Sequence, residues 1–213
     1  MKKAFCLALL TLYVVNVSQA AAPVTIQLSE SFKEPISREL KPFFELSEGQ
    51  KKDLLKGEVI SEGNVSSPGP KQQQMKLIVA GIHPRNCIKV MRKLSQYENY
   101  HHFIEFIKES SYEEKTKKFS FTVDHALLPY PMIVSFKIPR IREEGQYGFL
   151  FESGFLKGLE GKVIVKEIGK YCLLGLNSDW RGPESPLPDV IFGTFVQTVG
   201  KIGLERLIRI SLF

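Results

Sequence analysis

Five polar side chains stand out because the pattern around them is apolar or points inward: His125, Arg140, Tyr147, Ser153 and Asn177. Together they can do one kind of chemistry. His125 can act as a general base while Tyr147 or Arg140 polarises a carbonyl, provided all lie within hydrogen-bond reach of one cavity. The plainer account of His125 is a histidine paired with a neighbouring group, because buried polar groups are normally satisfied. His101 and His102 are adjacent, so on a helix they do not share a face. No further His or Cys stands nearby at ligand spacing, so no metal is expected. Nothing matches a Ser/His/Asp, nucleophilic cysteine or phosphate-loop pattern, and no cofactor is expected.

Strands must carry those residues. From Ser110 the apolar period is two. Phe119, Phe121, Val123, His125 and Leu127 share one side, as do Met132, Val134, Phe136 and Ile138, and Tyr147, Phe149, Phe151, Ser153 and Phe155. Turns at Leu128–Pro131 and Glu143–Gly145 separate them. Lys162–Ile168 and Tyr171–Trp180 continue an antiparallel meander through a tight Gly169-Lys170 connection. The aromatic side of this sheet makes either a plain core or a ring-lined pocket.

A helix must cover it. Leu187–Ser211 is amphipathic, with Ile191, Phe192, Phe195, Val196, Val199 and Ile202 on one arc. Pro188 and Asp189 suit its first turn. Gly193, Gly200 and Gly203 would together cost roughly 3 kcal/mol against alanine, which implies a kink or a close approach. Upstream, Ser47 and Gln50 form a capping box that opens a helix to about Lys56. Glu58–Ile60 begins a strand, Asn64–Pro70 reads as a loop, and Gln72–Ile82 reads as a strand. His83-Pro84 opens a helix whose apolar face is Cys87, Met91 and Leu94 and whose basic stripe is Arg85, Lys89 and Arg92. That stripe reads as a solvated face, with a headgroup contact as the sharper alternative. Tyr97–Phe103 reads as a turn joining two short helices packed by aromatics.

Lys2 and Lys3, the apolar run Ala4–Val17 and the small residues Ser18 and Ala20 make a bacterial secretory leader, residues 1–20, so the chain is expected to be periplasmic or extracellular. The run is too short for a spanning helix. An N-terminal extension, 21–56, and one domain, 57–213, follow. Losing Lys2 and Lys3 lowers the formal charge of +6 by two. The mild positive balance permits transient contact with an anionic membrane surface, and nucleic acid is not an expected partner of an exported chain. Cys87 and Cys172 then remain. A disulfide between them suits an oxidising compartment, while the apolar patterns around both favour two buried thiols.

Four stretches carry a family resemblance: Leu46–Leu54 with Gly57–Ile60, Ile78–Pro84 with Val90–Tyr100, Phe155–Lys162, and Leu187 onward. The chain resembles the START-like helix-grip family, which includes polyketide cyclase/dehydrase and coenzyme Q-binding (COQ10-type) domains. Gln96 stands where an aspartate is frequent in that family. The resemblance implies an α+β, START/Bet v 1-like fold, in which a curved antiparallel sheet of six to seven strands grips the C-terminal helix. It also implies an apolar cavity for a lipid, isoprenoid or polycyclic molecule. The expected lining is Phe121, Val123, His125, Phe136, Arg140, Tyr147, Phe149, Phe151, Ser153, Asn177, Phe192, Phe195 and Val199. The leading expectation is a monomeric, non-enzymatic binder of a hydrophobic small molecule. The alternatives are a cyclase or dehydratase using His125, and an interaction domain with a filled core.

Overall fold

The structure is a computed structural model that describes residues 43–124, 131–154, 156–185 and 187–212. The expected leader 1–20, most of the expected extension 21–56, His125 and Phe155 lie outside the described residues.

The first described helix is the one the local code specifies. Ser47 caps α1 (Glu48–Leu55) by accepting from the Gln50 N–H, and the Gln50 side chain accepts from the Ser47 N–H at 2.8 Å. A long hairpin follows, β1 (Ile60–Gly69) and β2 (Gln72–His83). The expected loop at Asn64–Pro70 is therefore mostly strand. Asn64, Val65 and Ser66 pair with Lys76, Met75 and Gln74, and the turn falls at Lys71, whose φ is 58°. Pro68 is tolerated because β1 is an edge strand.

The next helix, α2 (Cys87–Leu94), starts later than Pro84, because Asn86 caps it by accepting from the Lys89 N–H. Cys87, Val90, Met91 and Leu94 are buried, whereas Arg85, Lys89 and Arg92 are exposed. A 3-10 turn (Tyr97–Asn99) and α3 (Tyr100–Phe103) then lead into the meander: β3 (Ile107–Glu113), β4 (Lys118–Val123), β5 (Met132–Lys137), β6 (Gly145–Phe151), β7 (Glu160–Ile168) and β8 (Tyr171–Pro183). All eight strands form one antiparallel sheet in the order β1-β2-β8-β7-β6-β5-β4-β3. The strand beyond the expected six or seven is β3, whose Lys-Glu-Ser-Ser stretch hides its alternation.

The last helix, α4 (Asp189–Ile210), packs over β1 and β2 on the inner face of the curved sheet. Its first turn is fixed by a partly exposed polar knot. Gln73, 2% exposed, donates to the Asp189 carboxylate at 2.7 Å, and Ser67 donates to the same oxygen at 2.9 Å. Those two bonds hold the Asp189 carboxyl below the usual range. The helix is rotated from its expected seat. Phe192, Gly193, Val196 and Ile208 are buried, while Ile191, Phe195, Val199 and Ile202 are exposed. Gly200 explains the rotation. A Cβ there would stand 2.8 Å from Val79 Cγ2, so the helix meets β2 along a line where Gly200 is required. Gly203 has nothing within 4 Å of such a Cβ, and no contact accounts for it.

Two cores result. The inner one joins Met75, Leu77, Val79, the α2 face, Phe119, Phe149, Trp180 and Phe192. The outer one lies on the opposite face, where Phe44, Leu46 and Leu54 cover Ala80, Ile164 and Leu173.

Candidate functional site

The inner face of β4, β5 and β6 is a continuous sheet of rings. Phe136 stacks on Phe151 at 4.8 Å between centroids and meets Phe121 edge-on at 6.1 Å and Phe149 at 6.4 Å. Cross-strand register explains this, because Phe119↔Phe136 and Phe136↔Phe151 are direct partners. Phe149 is buried, but Phe121, Phe136, Tyr147 and Phe151 are only half-buried, as is Val123 at the end of β4. Leu176 and Val163 extend the same surface across β8 and β7. Phe192 closes one end, edge-on to Trp180 at 5.8 Å.

The polar groups singled out by sequence are not gathered on this surface. Arg140 is a structural clamp. Its guanidinium donates to the Ser95 carbonyl at 2.6 Å, to Glu98 at 3.0 Å and to Glu114 at 3.3 Å, and it lies 4.5 Å from the Tyr112 ring centroid. Tyr147 turns its hydroxyl to the Glu143 and Glu144 carbonyls at 3.0 and 3.3 Å, and burial raises its pKa. Ser153 is bonded to Ser135 at 2.7 Å between oxygens. Asn177 points the other way: it is exposed and lines an outer groove of about 680 Å³ with Lys137, Leu150 and Lys162. Its phase was misread because both faces of β8 are apolar. Phe195 and Val199 are 42% and 54% exposed, at the rim rather than the floor. His125 lies outside the described residues.

Other tyrosine hydroxyls follow the same rule. Tyr97 donates to Pro139, Tyr100 to Leu94 and Tyr112 to Ile138, each to a backbone carbonyl, and burial raises all three pKa values. The His101 and His102 rings lie 3.8 Å apart between centroids, tilted by 45°, with His101 Nδ1 2.7 Å from Ser110 Oγ. Among the described residues no group of three or more His, Cys, Asp or Glu could hold a metal.

Cys87 and Cys172 are joined as a disulfide, with Cα atoms 4.7 Å apart. The buried-thiol expectation is thus corrected: both sulfurs are buried, but against each other, because β8 brings Cys172 opposite His83 just before α2 begins.

Sequence reasoning missed His83, which is fully buried. Its Nδ1 accepts from the Arg85 N–H at 3.0 Å, which puts the neutral ring's proton on Nε2. That atom sits by the Ile208 carbonyl without a well-formed hydrogen bond. Burial, helped by the Arg85 charge, pushes its pKa down to about 4. Between that value and the unfolded value near 6.5 only the unfolded chain takes up the proton. Stability is therefore complete above about pH 6.5 and falls by about 3 kcal/mol as pH drops to about 4. Urea unfolding at pH 7 and at pH 4.5 should show this fall. His83→Gln should flatten that part of the profile, and an unchanged slope would remove His83 as its cause.

No protein family and no curated protein matches the chain by sequence. Solved structures do match. An uncharacterised protein of Bacillus thuringiensis superposes with a TM-score of 0.51 at 13% identity, over 65% of this chain and 99% of that one. Ara h 8.0201 gives 0.51 at 15%, over 65% and 98%. The protein XoxI from Bacillus cereus gives 0.50 at 13%, over 64% and 95%. The chain has the START-like helix-grip fold. Identities this low establish fold alone. Each match covers about two thirds of this chain and nearly all of the other.

Proposed function

We propose that the protein binds and carries an apolar small molecule between the ring-lined inner face and α4. One observation supports this most: Phe121, Phe136, Tyr147 and Phe151 stay half-buried while the nearby hydroxyls and Arg140 are already engaged. A surface of this kind gains about 25 cal/mol per Å² when a ligand covers it. The reading of residues 1–20 as a secretory leader supports a location in the bacterial envelope for the proposed carrier.

Native mass spectrometry of protein purified from its own cells, with organic extraction, tests the reading. The expected result is one apolar molecule per chain. An apo mass with no uptake from an added lipid extract would sink it.

A further inference from the structure

The helix that covers the sheet keeps an apolar face outside. Ile191, Phe195, Val199 and Ile202 are 54%, 42%, 54% and 39% exposed. At 100° per residue they fall within an arc of about 80°. The flank carrying Phe192 meets Trp180 of β8, and the flank carrying Gln197 bonds Gly63 of β1, so this arc forms the crest and the cavity-side shoulder of α4. Exposed Arg206 continues it.

A second element meets the helix at that end. Ile208 packs at Gly81 and near His83, two residues before Arg85. The exposed cations Arg85, Lys89 and Arg92 therefore begin beside the last turn of α4, with Ile88 among them 62% exposed. Apolar stripe and cationic border together are the chemistry of a helix lying in a membrane interface. The stripe is aliphatic with one phenylalanine and stands proud as a ridge. Protein hot spots instead favour Trp, Tyr and Arg seated in pockets. Among the described residues no helix is long and apolar enough to cross a membrane.

We propose that α4 docks its crest into the surface of an anionic bilayer, with Arg206 and the α2 cations on the headgroups. This docking stands whether or not the inner face holds a ligand. It is tested by sedimentation with vesicles of phosphatidylcholine alone and of phosphatidylcholine with phosphatidylglycerol. Wild type and variants carry the same N-terminus, so differences between them report the helix.

Binding to the mixed vesicles is expected, weakening with salt. It should fall about fivefold for each of Arg85→Gln and Arg206→Gln. Ile191→Gln with Ile202→Gln should lower it about tenfold or more. These four residues lie on the surface, so circular dichroism should be unchanged. No binding to the mixed vesicles overturns the proposal, as does binding that neither set of substitutions weakens. If Ile191→Gln with Ile202→Gln instead abolishes self-association in sedimentation velocity, a second copy covers the crest and the membrane proposal is wrong. None of these failures touches the carrier reading, which mass spectrometry tests separately.

Discussion

Reducing the Cys87–Cys172 bond should lower unfolding stability by about 4.5 kcal/mol, the loop-closure entropy for residues separated this far along the chain. The separation is 85 residues, and the loop includes α2, α3 and β3–β7. The bond ties the first turn of α2 to the second residue of β8, beneath the inner core. Glu167 on β7 accepts the Cys87 N–H at 3.2 Å, so that turn is also held from the neighbouring strand. Urea unfolding with and without dithiothreitol measures the loss. Cys87→Ala with Cys172→Ala should reproduce it and make reductant irrelevant. A double variant as stable as the oxidised protein would show that the packing of α2 alone fixes this corner. A loss of this size is about a third or more of a typical domain's stability.

What could be read from sequence divides along physical lines. The α1 cap was legible because Ser47 and Gln50 satisfy each other within one turn. The ring face was legible because β4, β5 and β6 each have one apolar side. Partners distant in sequence were not. Apolar surroundings predict that Cys87 and Cys172 are buried, but not that β8 returns to α2. The helix failed for a different reason. Its apolar arc is wider than the sheet covers, and hydrophobicity alone put Ile191, Phe195, Val199 and Ile202 inward together with Phe192 and Val196, of which only the last two are buried. The structure seats it instead on the line of Gly193, Val196 and Gly200, where the backbone can come nearest to β1 and β2. The glycines had flagged a close approach, but period alone could not say which side made it. Asn177 was misplaced because Tyr171 and Leu173 are as buried as Cys172 and Leu174. Alternation vanishes in a strand covered on both faces, and the second cover is the α1 segment.

That cover yields the second large effect. Phe44, 3% exposed, rests its ring on Gly175 at the centre of the outer face of β8, flanked by Ala80 on β2 and Ile164 on β7. A Cβ at Gly175 would clash with Phe44 Cζ, the tip of the ring, so the pair fits only with glycine on the strand. Phe44→Ala should cost about 3–5 kcal/mol, the range for emptying a buried phenylalanine site. Gly175→Ala should cost about 1–3 kcal/mol by overpacking, with the ring displaced. The two are in contact, so their effects should not add. In the Phe44→Leu background Gly175→Ala should be markedly cheaper, because the smaller side chain leaves room for the new methyl. A double-mutant cycle by urea unfolding checks this, and strict additivity would mean the ring does not press on Gly175. Limited proteolysis gives a second readout. If the outer core is one cooperative piece with the sheet, cleavage before Leu46 should accelerate only as global stability falls. If Gly175→Ala releases Phe43–Leu55 alone, cleavage should rise while the inner core's unfolding transition stays in place. The released state would leave Ile164, Ile168 and Leu173 bare, an apolar patch in the middle of a sheet face, so it should also aggregate with rising concentration. The Phe43–Leu55 segment would then be what keeps this sheet's outer face out of water.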